Sequence, residues 1–260
     1  MNITDSPYKS LDAMLGTRFI GRNLLYFPRV TSTMDIALQA ARKDAPEGTV
    51  VIAGEQTVGR GRSHRTWLTP PDNIALSVIL YPEVPQLPYL VMITSLAVVY
   101  CIESVVGLKA GIKWPNDILI DGKKVCGILI ENEISRDKKV RAVIGIGINI
   151  DIGQTVIEGS ALLATGLETE AGVAIDKAAL VESLLTEIER LYLRLPDGGA
   201  IFRDWESRLI TLGKRVVVTN GNRVMEGIAD SVDETGAIRL LLDDGSVARV
   251  IGGDVTLRQK

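Results

Sequence analysis

The chain has 260 residues, of which 46% are apolar and 23% charged, and carries a formal net charge of -3. Such a chain is long enough for one large domain, alone or with a small one attached, and its composition excludes an intrinsically disordered protein. The mildly acidic balance argues against a broad nucleic-acid footprint, and a single histidine, His64, argues against zinc or haem chemistry. Residues 1–22 carry Asp5, Lys9, Asp12, Arg18 and Arg22 and hold no apolar core of signal-peptide length. Cys101 and Cys126 sit in hydrophobic segments without metal-ligand spacing. They read as reduced core residues of a cytoplasmic protein.

In chain order, Asn23–Val30 reads as an opening strand, and a helix follows from Thr33 to Lys43 with Ala37, Ala40 and Ala41 as its small packing face. Thr49–Glu55 is a second strand, Thr57–Thr66 a glycine-arginine loop, and Ile74–Tyr81 a third strand. The apolar run Leu90–Val106 follows Pro88 and is broken by Thr94, Ser95 and Glu103. A membrane span needs roughly 20 predominantly apolar residues, so this run reads as a buried helix. Asp117–Ile120 and Lys123–Glu131 are separated only by Asp121 and Gly122, a hairpin signal because both tolerate positive φ. Val140–Ile150 is a further strand. Asp176 N-caps a helix expected to reach Leu195, in which Leu180, Leu184, Ile188, Leu191 and Leu195 recur at spacings of 4, 4, 3 and 4. A short helix is expected over Ala200–Leu209.

After Gly213 short strands (Arg215–Thr219, Met225–Val232, Ala237–Leu242 and Ser246–Val250) alternate with Asn220-Gly221, Thr235-Gly236 and Asp244-Gly245 turns. This rhythm predicts a small β-barrel. The expected division is 1–212 and 213–260. Hairpins mixed with helices predict an α+β fold built on a mixed, largely antiparallel sheet with flanking helices.

Three segments could carry chemistry. In Gly59–Trp67 (GRGRSHRTW), Arg60, Arg62 and Arg65 crowd into six residues of an acidic chain. Guanidinium forks suit carboxylate and phosphate, glycines admit close backbone approach, and Trp67 offers a stacking surface. Composition alone is equally compatible with a solvated surface loop and a core tryptophan. In Lys113–Asp117 (KWPND) and the hairpin after it, a two-residue turn pairs Leu119 with Lys124 and Asp117 with Cys126. Asp117, Leu119, Lys124 and Cys126 then share a face, and Lys124, diagonal to Asp117, can span the gap of roughly 7–8 Å. An inward lysine beside a carboxylate is a candidate site group; the competing reading is a snorkelling turn lysine. In Val143–Ile150, Ile144, Ile146, Ile148 and Ile150 take one strand face, while Gly145, Gly147 and Asn149 take the other. A strand bare on one side supports a ligand or a closely packed element. Together the three describe a pocket for an anionic small molecule and a nucleotide.

The set GRGRSHRTW, KWPNDILI, GKKVCGILIE and IGIGINI, in this order, closely resembles the biotin protein ligase family, from about Ser32 to the C-terminus. The resemblance implies a class II synthetase-like catalytic domain and an SH3-like C-terminal domain. It implies attack of the biotin carboxylate on the α-phosphate of ATP, with Mg2+, to give biotinyl-5'-AMP, and transfer to a lysine of a biotin carboxyl carrier domain. By the resemblance, Ser32, Thr33 and Gln56 meet the biotin ring, while Arg60, Gly61, Arg62 and Lys124 meet the biotin chain or phosphate. Trp67 packs on adenine, with Arg60, Asn116, Gly145, Gly147, Asn149, Asp254 and Arg258 on the nucleotide side. Lys124, Arg62 and Asp117 are the expected catalytic set, with Asp117 as a magnesium ligand. The loop over residues 57–66 is expected to be mobile without ligand. A homodimer is expected by analogy alone.

Met34 departs from the asparagine that follows Ser-Thr in some relatives, which leaves one biotin contact in doubt. About 22 residues precede the first strand, too few for the DNA-binding domain of some relatives, so a nucleic-acid role is disfavoured. A lipoate- or octanoate-transferring enzyme is the rival within the superfamily, and the GRGRxxRxW loop points away from it. A non-catalytic sensor is the rival outside it, and Arg62, Lys124 and Asp117 argue for chemistry instead.

Overall fold

The computed structural model describes residues 6–62, 65–67, 73–135, 138–152, 163–221 and 223–257. A short helix α1 (Leu11–Met14) leads into strand β1 (Leu24–Val30), helix α2 (Thr33–Arg42) and strands β2 (Val50–Gln56) and β3 (Ile74–Leu80). Helix α3 (Tyr89–Cys101) continues as a π-helical turn, Ile102–Val106. Four strands follow: β4 (Gly111–Lys113), β5 (Asp117–Ile120), β6 (Lys123–Ile134) and β7 (Val140–Ile148). Helices α4 (Leu167–Ala171), α5 (Lys177–Tyr192) and α6 (Gly198–Ser207) precede five short strands: β8 (Arg215–Asn220), β9 (Arg223–Val232), β10 (Ile238–Leu241), β11 (Val247–Val250) and β12 (Asp254–Leu257).

The first seven strands form one sheet in the order β1-β2-β3-β7-β6-β5-β4. Only β1 and β2 run parallel, joined through α2; every other neighbour pair is antiparallel. Pro28 is tolerated because β1 is an edge strand with no further partner to bond. Helix α3 packs on β4, β5 and β6, with α5 and α6 against it, while α2 covers β2, β3 and β7 on the opposite face. Ile144, Ile146 and Ile148 of β7 enter the larger core beneath α3. Their neighbours Gly145, Gly147 and Asn149 face the α2 side, which is the alternation expected. Tyr89–Val106 has the length and apolarity of a membrane span, but its burial is that of a core helix: Leu90, Met92, Ile93, Leu96, Val98 and Val99 are all fully buried.

Several differences from the expected elements have plain causes. Helix α5 starts as expected, with the Asp176 carboxylate accepting from the Ala178 and Ala179 N–H groups. It stops at Tyr192 rather than Leu195, because Leu195–Asp197 is a 3-10 turn whose Pro196 cannot donate to a continuing helix. Strands β4 and β12 and helices α1 and α4 were not anticipated; each is only three to five residues long, too short for periodicity to register. The hairpin turn forms with φ of 47° at Asp121 and 78° at Gly122. The register beyond it differs: Leu119 faces Lys124 as expected, but Asp117 pairs with Gly127, not Cys126, because a bulge intervenes. Cys126 and Ile128 therefore turn into the α3 core and do not share a face with Lys124.

The last five strands form a second, antiparallel sheet in the order β11-β10-β9-β8-β12. Trp114 fastens the two sheets together. Its backbone N–H donates to Thr211 Oγ1 at 2.9 Å and its indole N–H to the Gly236 carbonyl at 2.8 Å. At the other end of the molecule, the buried Glu189 carboxylate accepts the backbone N–H groups of Arg18 (2.6 Å), Phe19 (2.9 Å) and Ile20 (2.9 Å). Glu189→Ala strands these three donors, each group costing about 1–3 kcal/mol when left unsatisfied. The expected result in urea unfolding is a loss of about 2–3 kcal/mol, since local fraying returns part of the cost to water. Glu189→Gln, which keeps an acceptor oxygen, recovers part of it; equal losses in both variants would contradict this account.

Candidate active site

Residues 60–62 and 65–67 of the loop, the β4–β6 edge of the large sheet, the glycine face of β7 and the start of β12 surround one cavity of about 480 Å³. The loop is shaped by its own backbone: Gly61 N–H donates to the Arg65 carbonyl, and Trp67 N–H to the Gly59 carbonyl, both at 2.8 Å. Ser63 and His64 lie outside the described residues, so the expected mobility of residues 57–66 is left as an expectation.

Positive charge dominates one wall. Lys124 Nζ stands 2.5 Å from Asp117 Oδ1, and Lys113 Nζ, on the adjacent strand, 3.7 Å from Asp117 Oδ2. The turn brings this about, because Leu119 faces Lys124 and so puts Lys124 on the same side as Asp117; the bulge between Ile118 and Leu119 adds Gly127 to that face. Arg62 Nη1 donates to Asn116 Oδ1 at 2.9 Å, while Asn116 Nδ2 donates to the Ile128 carbonyl at 2.6 Å and so is itself anchored. Burial pushes the Arg62 guanidinium below its ordinary pKa, an effect opposed by Asp254 and Asp117. Burial also lowers the Lys113 ammonium, with Asp117 opposing and Lys124 adding to the fall. Two ammonium groups thus face one carboxylate, with Arg62 drawn to both Asp254 and Asp117, and an entering polyanion would relieve the repulsion between the lysines.

Of the two readings of the glycine face, a ligand or a closely packed element, the second is what lies directly on Gly145 and Gly147. The indole of Trp67 lies on Gly147 and the thioether of Met34 on Gly145. Lys124 Nζ sits 5.2 Å from the Trp67 ring centroid, a cation-π contact. Trp67 Nε1 is buried without a hydrogen-bond partner among the described residues.

At the other end the polar groups form a chain. Ser77 Oγ donates to Thr33 Oγ1 at 2.9 Å, and Thr33 donates to Gln56 Oε1 from its N–H at 2.8 Å and from its hydroxyl at 3.1 Å. Arg60 is held by Asp35 at 2.8 Å and by Glu131. Arg65 pairs with Asp254 of β12, which ties the loop to the second sheet. Asn149 anchors the strand end: its backbone N–H donates to the Val125 carbonyl at 2.8 Å, and its carbonyl accepts from Leu167 N–H at 3.0 Å.

The cavity therefore gathers Thr33, Gln56, Arg60, Gly61, Arg62 and Trp67, together with Asn116, Asp117, Lys124, Asn149 and Asp254. Gly145 and Gly147 reach it as the strand beneath Met34 and Trp67. Ser32 is not among its lining residues; it is fully buried, and its hydroxyl has no partner among the described residues. Arg258 lies outside the described residues. Lys113, Arg65 and Ser77 were not singled out as site residues. A signal for Lys113 was present: in a tight connection it falls opposite Asp117, its partner in the β4–β5 ladder.

Asp117 does not fit the expected magnesium site. Both its oxygens face ammonium groups, and no group of three His, Cys, Asp or Glu side chains stands close enough to hold a metal among the described residues.

Residues 26–149 match the model of the biotin/lipoate A/B protein ligase family, and residues 211–258 that of the biotin protein ligase C-terminal domain. The chain is 35% identical over 249 residues to the bifunctional ligase/repressor BirA of Bacillus subtilis, covering 94% of this chain and 76% of that one. It is 31% identical over 255 residues to the biotin--[acetyl-CoA-carboxylase] ligase of Mycobacterium tuberculosis, covering 94% and 92% of the two chains. Among solved structures, the biotin protein ligase of Aquifex aeolicus in complex with biotin and ATP superposes with a TM-score of 0.73 at 27% identity, covering 92% of this chain and 100% of that one. Sequence, fold and the lysine-arginine wall of the cavity agree, and the chain belongs to the biotin protein ligase family.

Proposed function

We propose that the chain joins biotin to ATP as biotinyl-5'-AMP, releasing pyrophosphate, and then passes the biotinyl group to a lysine of a biotin carboxyl carrier domain. The observation that carries this reading is the triad of cations, Lys124, Lys113 and Arg62, facing one cavity whose far end is a hydroxyl-amide chain. In the first step a carboxylate oxygen bonds to the α-phosphorus and the bond to the bridging oxygen breaks. Both partners are anions, so the barrier falls only where cations neutralise the charge that gathers on the phosphoryl oxygens. In the second step the acceptor amine bonds to the acyl carbon, AMP leaves with the electron pair of the C–O bond, and the amine proton passes to solvent.

The roles assigned are Thr33 and Gln56 to the biotin ring, and Lys124 and Arg62 to the carboxylate and α-phosphate. Trp67, Asn116 and Asn149 take the nucleotide side. Arg60 and Gly61 close over the acyl chain, and Asp254 acts through Arg65 in the ATP step. Magnesium enters this proposal as the counter-ion that ATP carries, not as a ligand of Asp117. We divide the chain into a ligase domain, 1–212, and a C-terminal domain, 213–260. Family analogy is the support for a homodimer and for a carrier-protein partner, and the mildly acidic net charge of -3 is the support for a role without nucleic acid. The two buried free cysteines support a cytoplasmic setting.

Incubation with ATP, biotin and a carrier domain is expected to add one biotinyl mass to the acceptor, and lipoate in place of biotin is expected to add none. No mass gain with biotin, or an equal gain with lipoate, would overturn the proposal.

A further inference from the structure

Met34 stands at the meeting of the cavity and the smaller core under α2. It is 3% exposed, lines the cavity, and belongs to the apolar cluster that includes Ala37, Val51, Ile79 and Val143. A Cβ on Gly145 would lie 2.6 Å from its sulfur and 3.0 Å from its Cγ, so the thioether rests directly on the β7 backbone. Its chain neighbour Thr33 carries the hydroxyl that links Ser77 to Gln56. The thioether is thus the apolar wall beside the hydrogen-bonding end of the cavity, at the point where glycine leaves the strand no side chain of its own. Trp67 plays the matching part over Gly147. The two side chains on adjacent glycines partition the shelf into a ring end and a nucleotide end.

We propose that Met34 sets the width of the ring end and thereby selects which cyclic carboxylic acids the chain activates; this rests on the ligase reading above. The thioether rests on the Gly145 backbone and is packed in a cluster with Ala37, Val51, Ile79 and Val143, so the length of this side chain sets the gap left for the ring. Shortening it opens space over Gly145 and removes contact with the ring without touching the cations that carry the chemistry. A methylene-scale change in an apolar pocket alters discrimination by about 10-fold or more.

The test is pyrophosphate exchange by wild type, Met34→Val and Met34→Ala, with biotin, desthiobiotin and biotin sulfone as the acids. Desthiobiotin has the narrower ring, and biotin sulfone carries added bulk at sulfur. For Met34→Ala the expected result is a biotin KM raised about 10-fold with kcat little changed. The kcat/KM of biotin sulfone relative to biotin should rise by about the same factor, with Met34→Val between the two. Met34→Val is the milder core change and keeps the test decisive if the alanine variant unfolds. Unchanged ratios among the three acids in a folded, active variant would overturn the inference. A fall in kcat at constant KM would also overturn it, since it marks a catalytic part instead of a size-selecting one. No exchange with biotin by wild type is a different outcome, which removes the ligase reading itself.

Discussion

Replacing Lys124 by alanine is expected to lower pyrophosphate exchange about 100- to 1,000-fold, the effect of deleting one preorganised charge donor from a site where anionic charge develops, while the protein stays folded. Lys124 is a partly buried cation, its side chain 22% exposed, with its ammonium directed at Asp117 and held over the Trp67 ring. Deleting it does not orphan Asp117, because Lys113 Nζ remains 3.7 Å away. The cost to stability is therefore that of a partly exposed pair, about 1 kcal/mol or less, which in a chain of this size shifts Tm by about 2–4 °C. The loss should fall mainly on kcat, because charge on the phosphoryl oxygens grows between bound substrate and transition state. Lys124→Arg should recover little, since a planar fork cannot reproduce the point charge at that depth. Normal exchange by a folded Lys124→Ala protein would remove Lys124 from the chemistry altogether.

That lysine also shows how far the sequence could be read. The Asp121-Gly122 turn was legible because its residues must accept positive φ, and both do. The contact between Lys124 and Asp117 followed from that turn. The neighbours did not: one extra residue in β6 leaves no trace in composition, yet it moves Asp117 from Cys126 to Gly127 and sends Cys126 to the opposite face. Lys113 was passed over for a related reason. Strand β4 has three residues, so no alternation marks which side its lysine takes. On β7, by contrast, the alternation of isoleucine and glycine from Ile144 to Ile148 made the faces plain. What lies on the glycines was not legible, because Met34 and Trp67 arrive from segments more than 75 residues away in the chain. Local pattern fixes a face; only the tertiary fold decides what covers it.

The second large effect follows from that covering. Gly147→Ala is expected to raise the KM for ATP about 10- to 100-fold, the worth of one stacked base at about 1–3 kcal/mol. A Cβ at this position would lie 2.3 Å from both Cε2 and Nε1 of the Trp67 indole, against an ordinary carbon contact of about 3.5–4.0 Å. The strand cannot give way, since Gly147 is laddered to Ala75 on one side and Gly127 on the other. The indole must therefore lift from the shelf, and with it goes the surface assigned to adenine. Overpacking of this kind costs about 1–3 kcal/mol in a rigid core, and a loop tryptophan relieves much of that by moving, so Tm should change less than the KM. Trp67→Ala alone should raise the KM comparably. The double variant discriminates: if the alanine acts by displacing the indole, Gly147→Ala adds nothing once Trp67 is gone, a coupling as large as the single effect. Additive losses in the double variant would mean that Gly147 meets the nucleotide itself and that Trp67 is not the adenine platform.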